Sequence, residues 1–148
     1  MHFSLVGESD EELLLELMQE FYAIEHLPYR ESVARAGLRE LWHNPALGRI
    51  YLIHADDAVV GYVVLTFGFS FEFRGRDALV DEFYVREAHR GGGLGTACLG
   101  WVEDVCRAEG IHAIHLEVDH INTRAKELYH RVGYQDHDRR LLTKWLVD

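Results

Sequence analysis

The chain has 148 residues, 48 % of them hydrophobic and 27 % charged, which suits one buried core and excludes a disordered chain. A formal net charge of −10 argues against nucleic acid or an acidic membrane surface as a partner and favours cationic ligands. Cys98 and Cys106 fall in one predicted helix, separated by about 12 Å of helical rise, too far for a disulfide; reduced thiols in the cytoplasm are expected. No basic segment followed by an apolar run is read as a signal peptide, and no apolar run approaches about 18 residues, so no transmembrane helix is read.

Residues 3–6 read as a short strand. Ser9-x-x-Glu12 has the form of a capping box, and Leu14, Leu17, Met18 and Phe21 repeat at helical spacing to about Glu25. Pro28 ends that element. A second helix is predicted over Glu31–His43, with Ala34, Leu38, Leu41 and Trp42 on one face and Asn44-Pro45 as its stop. Residues 49–54 and 59–73 read as strands joined at Asp56-Asp57. In the second of these, period two places Phe67, Phe69, Phe71 and Phe73 on one face. Phe67 and Phe69 are expected in the core, while Phe71 and Phe73, near the hairpin tip, could wall a substrate pocket. Gly75-Arg76-Asp77 is expected to make the next turn.

Residues 78–97 carry the strongest signal. Val80, Phe83, Tyr84 and Val85 have strand character, and Gly91, Gly92, Gly93 and Gly95 remove side chains where the backbone turns into a helix. Such a turn exposes backbone N–H groups beside the positive end of a helix and suits a pyrophosphate. It is not a P-loop, because no Lys-Ser or Lys-Thr follows the last glycine, and it lies too far along the chain for a dinucleotide fingerprint. Leu94, Ala97, Cys98, Trp101, Val102 and Val105 make a helical stripe ending before Gly110, and residues 111–118 read as a strand. Asn122 is expected to cap a helix carrying Ala125, Leu128 and Tyr129 and closed by Gly133. A last strand is expected over residues 141–146. The order predicts a single α/β domain, residues 1–148, with a mixed sheet and helices on both faces.

Arg90-x-x-Gly93-x-Gly95 after a strand resembles the acetyl-CoA signature of the GCN5-related N-acetyltransferases (GNAT). Asn122-x-x-Ala125-x-x-Leu128-Tyr129-x-x-x-Gly133-Tyr134 resembles a second segment of that family, and the element order is similar nearly end to end. The resemblance is densest over residues 79–134. It implies the GNAT acyl-CoA N-acyltransferase fold, a central mixed sheet flanked by helices, with acetyl-CoA as cosubstrate. The exposed main chain of Phe83, Tyr84 and Val85 would pair with the pantetheine arm, and a backbone N–H, that of Val85, would polarise the acetyl carbonyl. The pyrophosphate would sit on the N–H groups of Gly91, Gly92, Gly93, Leu94, Gly95 and Thr96, with Arg90 shaping the loop or adding charge. Asn122 would bond the cofactor arm, and Tyr129, near the acetyl sulfur, would protonate the leaving thiolate.

The acids Asp81 and Glu82 complete the set. Leu79-Val80-Asp81-Glu82-Phe83-Tyr84-Val85 looks like the polyamine and thialysine acetyltransferase branch, with Asp81 matching its first acid. Neighbouring strand residues face opposite sides, so both acids serve one pocket only if a bulge turns one of them. An amine with a pKa of about 10.4 must lose a proton before it attacks a thioester, and a carboxylate can attract the ammonium and relay that proton. The expected activity is acetyl transfer to a small, cationic primary amine by direct attack in a ternary complex. A homodimer is a possible assembly. Two other readings stand beside it: a non-catalytic acyl-CoA-binding sensor on the same fold, and a nucleotide-binding protein using the glycine loop. His112 and His115 face opposite sides of a strand and the other histidines are scattered, so no metal site is read.

Overall fold

Strand pairing organises the larger part of the molecule. The computed structural model describes residues 1–147, in which β1 (His2–Leu5), β2 (Gly48–Ala55), β3 (Ala58–Ser70), β4 (Gly75–Val85) and β5 (Ala113–Leu116) form one mixed sheet in sequential order. The first four strands are antiparallel, and β5 runs parallel to β4. Parallel neighbours need a crossover, and α3 (Leu94–Ala108) supplies it. Helices α1 (Glu11–Ile24) and α2 (Glu31–His43) cover the other face. Leu14, Leu17 and Leu38 pack there against Leu52, Tyr62, Val64 and Tyr84, while Val102 and Cys106 pack on Val63, Leu65 and Val80. The chain divides into two compact units, the sheet unit Met1–Glu117 and a smaller one beginning at Val118. The smaller unit carries α4 (Thr123–Arg131), and among the described residues no helix is long and apolar enough to cross a membrane.

Local chemistry explains most boundaries. Asp56 and Asp57 both take positive φ, 50° and 62°, as a two-residue turn between right-twisting strands requires. Asn122 accepts the Ala125 N–H at 3.1 Å as an N-cap, and Gly133, at φ 102°, follows the end of α4.

Four expectations are corrected. Ser9 does not cap α1: residues Glu8–Asp10 form a 3-10 turn in which Asp10 accepts the Gly7 N–H at 3.0 Å, and Glu12 turns to Arg35 instead. β3 stops at Ser70, so Phe71 and Phe73 lie in a turn rather than on the strand face, and Gly75-Arg76-Asp77 are already rungs of β4. Phe69 is 65 % exposed, since the core under α3 ends at Phe67, whose ring lies between the guanidinium groups of Arg49 and Arg76. No strand forms over residues 141–146. An apolar pattern is not enough without a ladder partner for the main chain, and here Leu141, Leu142, Trp145 and Leu146 are exposed.

Candidate active site

The site is built on an irregularity in β4. Val64 of β3 stands opposite Glu82 and Leu65 stands opposite Val80, which leaves Asp81 without a partner in the register. That extra residue is a β-bulge. A regular strand would put Val80 and Glu82 on the same face. With Asp81 inserted, Val80 packs on the α3 side, and Glu82 turns to α1, where it meets Tyr22.

Glu82 is held by two phenols. The Tyr22 hydroxyl donates to Oε1 at 2.5 Å and the fully buried Tyr62 hydroxyl donates to Oε2 at 2.8 Å. Burial pushes the Glu82 carboxyl above its ordinary pKa; the two hydrogen bonds oppose that shift and the nearby Asp81 charge adds to it. Asp81 is accessible to solvent, yet surrounding protein raises its pKa by desolvation. Its charge also acts on the Tyr22 phenol, which burial first, and then the bond to Glu82, keeps protonated. The bulge therefore brings both acids within electrostatic reach of one tyrosine.

Beyond the bulge the other edge of β4 opens. Its pairing with β5 stops at Val80 and Leu116. The Arg86 N–H donates to the Val60 carbonyl at 2.8 Å, which fixes the alternation: Tyr84 and Glu82 turn their main-chain groups to β3, and Phe83 and Val85 turn theirs to the open edge. Tyr84 instead contributes its hydroxyl, which donates to Glu20 at 2.9 Å beside the Arg86–Glu20 ion pair. Gly61, opposite Val85, lets the strands approach; a Cβ there would lie 2.0 Å from the Tyr84 carbonyl oxygen.

The glycine loop follows. Gly91 and Gly93 take φ of 92° and 81°, the left-handed region that favours glycine. Gly93 is the N-cap of α3 and has no side-chain cap, and the first helical bond runs from the Ala97 N–H to the Gly93 carbonyl. The N–H groups of Leu94, Gly95 and Thr96 thus open the helix without helical acceptors, and its first turn carries no acid. Gly91, Gly92 and Gly93 are exposed. Arg90 folds back so that Nε donates to the Val85 carbonyl at 2.6 Å, with its guanidinium 5.8 Å from the Tyr84 ring centre. It ties the loop to the open edge of β4. This arrangement can seat an anionic phosphate group at the helix end and an extended chain with amide groups along the strand.

Six further residues from the sequence have contacts of their own. In the smaller unit, Asn122 commits its side-chain oxygen to the α4 cap, and half-buried Tyr129 packs edge-on to Tyr134 at 5.9 Å. His112 contacts the Arg74 carbonyl at 2.6 Å, and His115 contacts Asp77 at 3.1 Å. Cys98 and Cys106 are buried free thiols facing the core. Sequence reasoning missed Tyr22 and Tyr62. The available signal was Tyr62 inside the apolar run Val59-Val60-Gly61-Tyr62-Val63-Val64-Leu65, because a buried tyrosine needs a partner for its hydroxyl.

Comparison with known proteins gives the chain its relatives. The family model described as acetyltransferase (GNAT) family matches residues 13–134, most of the chain. Thialysine N-epsilon-acetyltransferase of Bos taurus is 35 % identical over 78 residues, 53 % of this chain but only 45 % of that protein, so the match spans less than half of the bovine relative. The Mus musculus protein of the same name is 28 % identical over 138 residues, covering 87 % of this chain and 81 % of its own. Among solved structures, an integron cassette protein from the mobile metagenome of Cole Harbour Salt Marsh is 35 % identical with a TM-score of 0.86, covering 99 % of this chain and 91 % of that one. A predicted acetyltransferase from Clostridium acetobutylicum, solved with acetyl-CoA, shares the fold at 17 % identity and a TM-score of 0.80, covering 97 % and 95 %.

Proposed function

Because the chain belongs to the acetyltransferase (GNAT) family, whose members are N-acetyltransferases, we propose that it moves the acetyl group of acetyl-CoA to a small cationic primary amine by direct attack in a ternary complex. The observation that carries this reading is the bulge at Asp81, which sets two acids beside the open edge of β4. Residues 1–148 are read as one acetyltransferase domain, which the family match over residues 13–134 supports. The names of the bovine and mouse relatives support a lysine-like acceptor, and buried free thiols support a reducing, cytoplasmic setting.

The pantetheine arm lies along Phe83 and Val85, and the pyrophosphate sits on the N–H groups from Gly91 to Thr96. Asp81, open to solvent, takes the proton of the acceptor ammonium directly or through one water. The freed amine nitrogen attacks the acetyl carbonyl carbon, whose oxygen is stabilised by the Val85 N–H, and the C–S bond then breaks. Tyr129, on the strength of its motif, gives its proton to the thiolate and is reprotonated by the second proton that the attacking nitrogen loses as it becomes an amide, while the proton taken by Asp81 leaves to solvent. Asn122 has its side-chain nitrogen left for the cofactor arm. The test is an amine panel with acetyl-CoA, following release of the CoA thiol. Diamines and lysine-like amines should be the best acceptors; equal rates with neutral aromatic amines would overturn the cationic preference.

A further inference from the structure

We propose that Tyr22 and Tyr62 are positioning residues that hold Glu82 as an oriented anion facing the acceptor, and so set the lower pH limit of acetyl transfer. The inference rests on the acetyltransferase reading of this site. The groups acting on Glu82 are Tyr22 from α1, Tyr62 from β3 and Asp81 from β4, and Tyr22 in turn packs edge-on to Tyr29 at 5.7 Å. The Tyr84 hydroxyl, on the same face, goes to Glu20. Among the described residues Glu82 has no ion pair, whereas Glu11, Glu12, Glu16 and Glu20 each face an arginine. Two phenols stabilise a carboxylate without cancelling its charge.

Geometry makes the arrangement specific. Each Glu82 oxygen receives one hydroxyl, and a carboxylate oxygen accepts about two hydrogen bonds, so each keeps a lone pair for an ammonium. The two donors come from different elements, which fixes the plane of the carboxylate as well as its position. Tyr62 has no exposed surface and cannot turn to water for a substitute partner. Asp81, accessible and held by no such pair, is left to move the proton, while Glu82 supplies fixed charge.

Tyr62→Phe and Tyr22→Phe keep the rings and remove one hydroxyl each. Loss of a donor favours protonation of the half-buried carboxyl. The acid limb of the pH profile of kcat/KM for a diamine should therefore move to higher pH in either variant, with a loss of about tenfold on the acid side that fades as pH rises above the limb. The change should appear in KM for the amine more than in kcat, and Glu82→Gln should abolish the difference between Tyr62 and Tyr62→Phe. A second readout needs no turnover: the Glu82 carboxyl, followed by carbon NMR in the free protein, should titrate at higher pH in both variants. An unmoved limb together with an unmoved carboxyl titration overturns the proposal. If the wild-type protein acetylates no amine, the functional reading fails, and the carboxyl titration still decides whether the tyrosines hold the anion.

Discussion

Glu11 and Glu82 show how one residue type is put to two uses. Glu11, 8 % exposed on α1, meets Arg39 through two hydrogen bonds at 3.1 and 3.0 Å and also bonds Arg35, both from α2. The hydrogen bond from Arg39 leads in lowering its pKa. Glu82 meets only hydroxyls and an acidic neighbour, and burial raises its pKa. A guanidinium answers the charge and joins two helices; a phenol orients the charge and leaves it available. The lesson is that the partner, rather than burial, separates an acid that holds the fold from one that can meet a cation.

The largest expected effects fall on the groups proposed to move protons. Asp81→Asn should reduce turnover by about 10²-fold or more, the range of general base catalysis, while acetyl-CoA still raises the melting temperature. A wild-type rate in Asp81→Asn would make Glu82 or the solvent the proton acceptor. Tyr129→Phe should lose about as much in kcat, with KM for acetyl-CoA little changed, because its proton is needed only as the C–S bond breaks.

Glu11→Gln should behave in the opposite way: turnover at moderate temperature intact, melting temperature lower by several degrees, since Arg39 and Arg35 lose their shared anion. Lost activity in a protein that melts normally would remove the distinction between the two acids.

Acid titration sharpens the comparison through its sign. Glu11 has a depressed pKa in the fold, so its stabilisation is present above the ordinary value of 4.5 and is lost as pH falls through the folded value. Glu82 has a raised pKa, so the fold favours its protonated form; its contribution is present below 4.5 and is lost as pH rises through the folded value. Melting curves should show Glu11→Gln flattening the acid side of the stability profile and Glu82→Gln flattening the rise of destabilisation above it. The smallest effect is ionic. With a net charge of −10, KM for a cationic amine should rise modestly from about 0.01 to 0.15 M salt, and a neutral amine should show no trend.

What the sequence disclosed follows the range of the forces involved. The glycine loop, the Asp56-Asp57 turn and the Asn122 cap are local devices, and their residues announce them. The mixed sheet follows from element order. The bulge at Asp81 does not, because it is defined by register against Val64 and Leu65, about sixteen residues earlier in the chain. The Tyr22–Glu82 bond spans sixty residues, so no spacing rule reports it. The phenylalanine alternation misled in an instructive way: period two continues to Phe73, but pairing stops at Ser70 and the helix that would cover Phe69 is not there.

The cysteines of α3 have a practical consequence. Burial drives the Cys98 thiol up to about 12 and that of Cys106 to about 11, so at assay pH both stay almost wholly protonated and shielded. A disulfide reagent added to the folded protein should titrate neither, and both should react once guanidinium opens the core. The colour such a reagent gives during turnover is then free of a protein background and counts only the CoA set free.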